Sequence, residues 1–153
     1  MKDIIKNMKE KCYCVVYEEL KKMNYDYTLQ NFAHDFKKVD SATKYCYLLY
    51  MIARQDSPKL RILICDALMF TDTFFDDTWT VIHWHLKQAL NMEPDNIDIL
   101  LWIIEILYGS PDSLFSEQEM YDFACTVILK SPEDKRAKEI IEDYNKKHEE
   151  HMK

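Results

Sequence analysis

An all-α fold is predicted by three features of the chain: a near-absence of glycine, apolar residues recurring at helical spacing, and prolines standing where helices begin. One glycine and four prolines in 153 residues leave little material for the left-handed turns of hairpins or for phosphate-cradling loops. Hydrophobic residues make up 48% of the chain, enough for a single helical domain spanning 1–153 to bury a sizeable core.

About eight helices are read in order. The first spans Asp3 to Met23, with Ile4, Met8, Cys12, Val16 and Leu20 on helical spacing. The second runs from Thr28 to Lys38 on Leu29, Phe32, Ala33 and Phe36 and closes an N-terminal section of residues 1–40. Asp40 or Ser41 caps a third, which continues through Leu48, Leu49 and Ile52 to Arg54. Ser57-Pro58 starts a fourth, ending near Phe70, because proline suits the first helical position, where no N–H is needed. The link TDTFFDD leads to a fifth helix, Thr78 to Asn91, and a sixth, Asp95 to Tyr108, stops at Gly109 in the place of a left-handed cap. SEQE at Ser116 to Glu119 is a capping box for the seventh, through Leu129. The eighth starts at Ser131-Pro132 and turns polar, which suits a C-terminal cap over residues 132–153.

Pro58, Pro94 and Pro132 each stand at the start of a helix, 36 and 38 residues apart, and Ala53, Ala89 and Val127 stand five residues before them. Helix, short turn, helix at such a period is the pattern of an α-helical repeat. The stretches LKQALNMEPDN and YDFACTVILKSPED resemble the joint of a tetratricopeptide repeat. The resemblance implies antiparallel helix pairs stacked as a short, degenerate array over residues 41–131. Leu68 and Ile104 occupy positions where that family expects a small residue, and the period exceeds its usual length of about 34 residues. A HEAT-like array and an irregular bundle therefore stay open.

The net charge is −7, placed unevenly. Thr71 to Phe123 holds eleven acidic residues and one basic one, Lys87. An acidic centre excludes nucleic acid as a partner, since phosphate contacts need Lys and Arg, and it steers a basic protein instead. The N-terminus carries a charge every few residues, unlike a signal peptide. No window is long and apolar enough for a membrane span. Five cysteines, Cys12, Cys14, Cys46, Cys65 and Cys125, lie in helical patterns and are expected to be reduced and buried in a cytoplasmic protein.

Candidate partner-binding residues fall in two groups. The link combines Asp72, Asp76 and Asp77 with Phe74 and Phe75, aromatic anchors rimmed by carboxylates. The repeat resemblance implies that Asp98, Leu101, Glu105 and Tyr108 line a concave groove, together with Ile62, Cys65, Met69 and Asp72 from the preceding unit and Arg136, Glu139, Asp143 and Lys146 from the next. The clamp of Lys, Arg and Asn with which some tetratricopeptide domains hold a peptide carboxylate is absent, which speaks against a receptor for chaperone tails. His83 and His85 are two apart and do not share a helix face, so no metal site is expected. No cofactor is expected either, and no catalytic triad or dyad can be assembled, so the chain is read as non-enzymatic. The acidic, glycine-poor helical character is similar to that of immunity proteins from bacterial toxin-delivery and contact-dependent inhibition systems. That similarity implies an inhibitor of a basic, nuclease-type toxin. The alternative is a repeat-type adaptor holding a peptide or helix in its groove.

Overall fold

The computed structural model describes residues 1–69 and 77–150, together with the backbone but not the side chain of Glu150. Among the described residues there are nine α-helices and no strand. None of these helices is long and apolar enough to cross a membrane. The chain divides into two compact units, Met1–Met92 and Glu93–Lys153.

The N-terminal unit contains α1 (Lys2–Lys9), α2 (Tyr13–Lys22), α3 (Leu29–Asp35), α4 (Ser41–Ile52), α5 (Pro58–Met69) and α6 (Thr78–Met92). The expected first helix is thus two. A row of residues spaced by four drifts about 40° around a helix at each step, so Ile4 and Leu20 could not share a face on one straight helix. A break at Lys11 lets Ile4, Met8, Val16 and Leu20 all reach the core. The break is a Schellman turn: Cys12 N–H donates to the Asn7 carbonyl at 2.8 Å and Lys11 N–H to that of Met8 at 3.0 Å. α2 ends the same way, with Tyr25 N–H bonded to Leu20 and Asn24 N–H to Lys21. Lys11 (φ 60°) and Asn24 (φ 49°) hold the left-handed position that glycine usually fills.

α5 is the centre of this unit and packs against α3, α4 and α6. Nine of its twelve residues are buried, so it has no solvent stripe. Ile62 and Cys65, expected to line a groove, are instead core residues at 6% and 0% exposure. Spacing from Pro58 does not bring Ile62 and Cys65 to a surface, because that side of α5 is covered by its neighbours while Lys59 is the residue left exposed. Around it the aromatic residues form a connected layer. Tyr27 and Tyr47 share a hydroxyl–hydroxyl bond of 2.7 Å, and Phe32 stacks on Phe36 with ring centres 4.8 Å apart.

The C-terminal unit contains α7 (Ile97–Leu107), α8 (Glu117–Lys130) and α9 (Lys135–Glu150), with α8 packed against both neighbours. Pro58 does begin α5, and Ser57 caps it through Leu60 N–H. Pro94 and Pro132, expected to begin helices, instead sit in turns ahead of them. Asn96 N–H closes one turn on the Glu93 carbonyl and Asp134 N–H closes the other on that of Ser131. Asn96 and Asp134 then act as the caps, accepting from Ile99 N–H at 3.3 Å and Ala137 N–H at 2.8 Å. The two joints are therefore the same device used twice. The capping box at Ser116 and Glu119 is formed, and Gly109 adopts φ 76° beyond the end of α7.

All five cysteines are free. Only Cys65 is buried; Cys14 and Cys46 are exposed, and Cys12 and Cys125 are half-buried. The expectation of general burial is corrected because helical spacing does not say which face of α2 or α4 turns outward. A thiol reagent should label Cys14 and Cys46 in the native protein and reach Cys65, whose thiol burial keeps protonated, only on unfolding. Mass-mapping of labelled peptides checks this, and Cys65 labelling at the native rate would contradict it. Lys11→Gly should raise stability by about 1 kcal/mol, the strain of a non-glycine left-handed residue, and Asn24→Gly should do less. Urea unfolding midpoints measure both.

Candidate functional site

Charge separates the two units. Met1–Met92 has thirteen basic and twelve acidic residues, and Glu93–Lys153 has seven basic and fifteen acidic. The net −7 of the chain therefore arises in the C-terminal unit, which carries −8 against +1 for the other.

Within the C-terminal unit, α7 and α9 bring groove-position residues together. Tyr108 donates its hydroxyl to Asp143 Oδ2 at 2.7 Å. Arg136 lies with its guanidinium 5.9 Å from the centre of the Tyr108 ring, 4.0 Å from Glu105 and 2.8 Å from Glu139. Burial, reinforced by the Asp143 carboxylate, pushes the Tyr108 phenol up to about 12, so it remains a neutral donor. Beside this contact an open cleft of about 360 Å³ lies at the end of α7. Its floor is apolar, from Leu107, Phe115, Met120 and Ile140, and its rim is polar, from Tyr108, Glu117, Asp143, Tyr144 and Lys147. Lys147 bonds Glu117 at 2.6 Å across the rim, and this pairing raises the lysine pKa and lowers that of the glutamate. Tyr144 is ordered by stacking on Tyr121 and His148 at 4.4 and 4.0 Å.

Of the residues expected to bind a partner, Asp72, Phe74, Phe75 and Asp76 lie outside the described residues. Asp77 is exposed at the start of α6, where its carbonyl accepts from Val81 N–H. Asp98 is exposed in the first turn of α7, about 10 Å along the axis from Glu105 at a rise of about 1.5 Å per residue. Glu105 and Tyr108 meet α9. Glu117, Tyr144 and Lys147 were not anticipated, since their approach depends on packing between α8 and α9. The capping box was the one available signal, because it sets Glu117 at the first turn of α8.

A second constellation, unread from the HWH motif, lies inside the N-terminal unit. Arg61 is 5% exposed. Its Nε donates to Asp56 Oδ1 at 2.9 Å and its Nη2 to Oδ2 of the same carboxylate. Nη1 donates to His85 Nδ1 at 3.1 Å, and the guanidinium lies 5.0 Å from the Trp84 ring. Burial, and then the Arg61 charge, lower His85 to about 4, with Asp56 opposing. A neutral imidazole accepting at Nδ1 carries its proton on Nε2. The three groups hydrogen-bond to one another, with Arg61 and His85 almost wholly buried, as in a structural network. Among the described residues no three His, Cys, Asp or Glu side chains are grouped as metal ligands.

Comparison of the chain with known protein families, with curated proteins and with solved structures gives no match.

His85 makes stability depend on pH. Its folded pKa of about 4 lies below the ~6.5 of an unfolded histidine, so the unfolded chain takes up the extra proton first as pH falls. The contribution is intact above pH 6.5, declines through the window, by at most about 3 kcal/mol in total, and levels off below pH 4. Between pH 6.5 and 5, where carboxylates stay ionised, urea midpoints should fall for the native protein and remain flat for His85→Gln. Equal slopes for both proteins would reject the assignment.

Proposed function

We propose that the chain is a non-enzymatic protein-binding module whose acidic C-terminal unit recognises a basic protein, and that it acts as an immunity protein neutralising a nuclease-type toxin. The observation that supports this reading is the segregation of charge: the unit from Glu93 carries −8 while the rest of the chain is nearly neutral. Asp98, Glu105, Asp112, Glu117 and Asp122 are all exposed. A nuclease cleft is built to take phosphates, and exposed carboxylates present the same charge to it. Such a field raises the association rate and discriminates against acidic partners. The link residues Asp72, Asp76 and Asp77 extend the same proposal.

A second reading is favoured by a specific observation. Glu105 and Tyr108 on α7 meet Arg136 and Asp143 on α9, as positions lining a repeat groove would. Together with the matching joints at Asn96 and Asp134, this supports a tetratricopeptide-like arrangement of the C-terminal helices and an adaptor that holds a peptide.

The test begins by capturing the partner on the immobilised chain and eluting it with salt. The expected partner is strongly basic, and co-expression of the chain should relieve its toxicity. Association measured by stopped flow should slow with ionic strength. Asp98→Asn with Glu105→Gln should reduce the on-rate severalfold while stability changes by no more than about 0.5 kcal/mol. Loss confined to the triple change at Asp72, Asp76 and Asp77 would place recognition on the link. A neutral or acidic partner, or an on-rate indifferent to salt, would refute the reading.

A further inference from the structure

We propose that the cleft at the end of α7 receives an arginine side chain from the basic partner; this deepens the reading of the C-terminal unit as a basic-protein binder and rests on it. Four observations converge on a guanidinium. Asp143 takes the Tyr108 hydroxyl on Oδ2, and its Oδ1 accepts no hydrogen bond among the described residues. The hydroxyl bond orients the carboxylate without neutralising it. α7 ends at Leu107 with no basic residue in its own last turn, so the negative end of its dipole lies at the cleft and favours a cation there. The opposing positive end, at the start of α8, is offset by Glu117 and Glu119 in its first turn. Finally, this wall already accepts a guanidinium from within the chain, since Arg136 lies over the Tyr108 ring.

The floor selects among cations. Leu107, Met120 and Ile140 present an apolar surface to the methylene stem of a long side chain. Arginine is less strongly hydrated than lysine, and its planar head can pair with a carboxylate and lie on an aromatic face at once. A volume of about 360 Å³ is near the lower limit for ligand sites and suits one inserted side chain better than a folded segment. Among the described residues Lys147 is the one cation on the rim. It is held by Glu117, and its side chain is 59% exposed, so it can swing into solvent. In the free protein it occupies the position that the incoming arginine takes against Glu117.

The test uses the full chain, isotopically labelled, and three blocked pentapeptides with arginine, lysine or citrulline between glycines. Arginine peptide should shift the amide resonances of Tyr108 to Ser110 and Asp143 saturably, lysine should bind more weakly at the same place, and citrulline should leave them unmoved. Lys147→Gln should bind the arginine peptide about threefold more tightly, by freeing Glu117 from an exposed pair. Asp143→Asn, which can still accept from Tyr108, should bind about tenfold more weakly through loss of a charge-assisted bond. Lys147→Gln changes an exposed side chain, so its gain of affinity can be read even where Asp143→Asn is unstable. Shifts spread over Asp98, Glu105 and Asp122, equal for arginine and lysine and indifferent to both variants, would overturn the arginine cleft while leaving the acidic surface standing. No response to either cationic peptide, in a chain that captures no basic protein, would overturn both.

Discussion

With a single glycine, at position 109, this chain must stop and restart its helices by side-chain chemistry, and the rest of the fold depends on that constraint. Thr28, Asp40, Ser57, Asn96, Ser116 and Asp134 each accept a backbone N–H at the start of a helix. Lys11 and Asn24 take left-handed positions at two ends. Each cap is worth about 1 kcal/mol, so together they amount to a large part of the stability of a domain of ordinary size. They also fix where one helix hands over to the next, which in turn decides which faces meet. Moving the cap at Asn96 or Asp134 by one residue would rotate α7 or α9 by about 100° and separate Tyr108 from Asp143.

The two units solve different electrostatic problems. The N-terminal unit is nearly neutral and buries a cation at its centre. Asp56 pairs with Arg61 through two hydrogen bonds and His85 accepts a third, while Trp84 lies against its face. Removing any one partner leaves a buried group unsatisfied, so the network specifies one packing of α5 against α6. The C-terminal unit instead keeps its excess charge outside. α7 supplies half of its buried apolar residues, Ile99, Leu100, Trp102, Ile103, Ile104 and Leu107, and most of its carboxylates are exposed. An apolar interior beneath a charged exterior lets surface acids be changed at little cost to folding.

Helical class was legible because the pattern is local: apolar residues at helical spacing, a capping box at Ser116 and Gly109 past a helix end. The break at Lys11 was not, because lysine gives no sign of a left-handed residue and only the drift of the Ile4-to-Leu20 row reveals the need for one. Pro94 and Pro132 were recognised as joints but misplaced within them, since proline serves equally well in a turn or at the first helical position. The polar caps Asn96 and Asp134, two residues further on, carried the better signal. Glu105 and Tyr108, singled out by their spacing from Pro94, do meet α9, whereas Ile62 and Cys65, singled out by the same spacing from Pro58, are buried in the core. Glu117 and Lys147 come together across a helix pair, and Arg61 meets His85 across 24 positions. Neither pairing follows from periodicity, which ranks faces within one helix and is silent on which faces meet.

The tryptophans give these differences an optical consequence. Trp84 is 52% exposed, rests against the guanidinium of Arg61 and touches the His85 ring at 4.8 Å. Trp102 is 8% exposed within α7. A collisional quencher in the solvent meets the first far more often than the second. A polar neighbourhood shifts the emission of Trp84 to longer wavelength than that of the sheltered indole. The third indole, Trp79, is half-buried on α6, so with Trp79 replaced by phenylalanine one native sample carries a separable fluorescent reporter in each unit, and the order in which the two units lose structure can be followed without attaching a label.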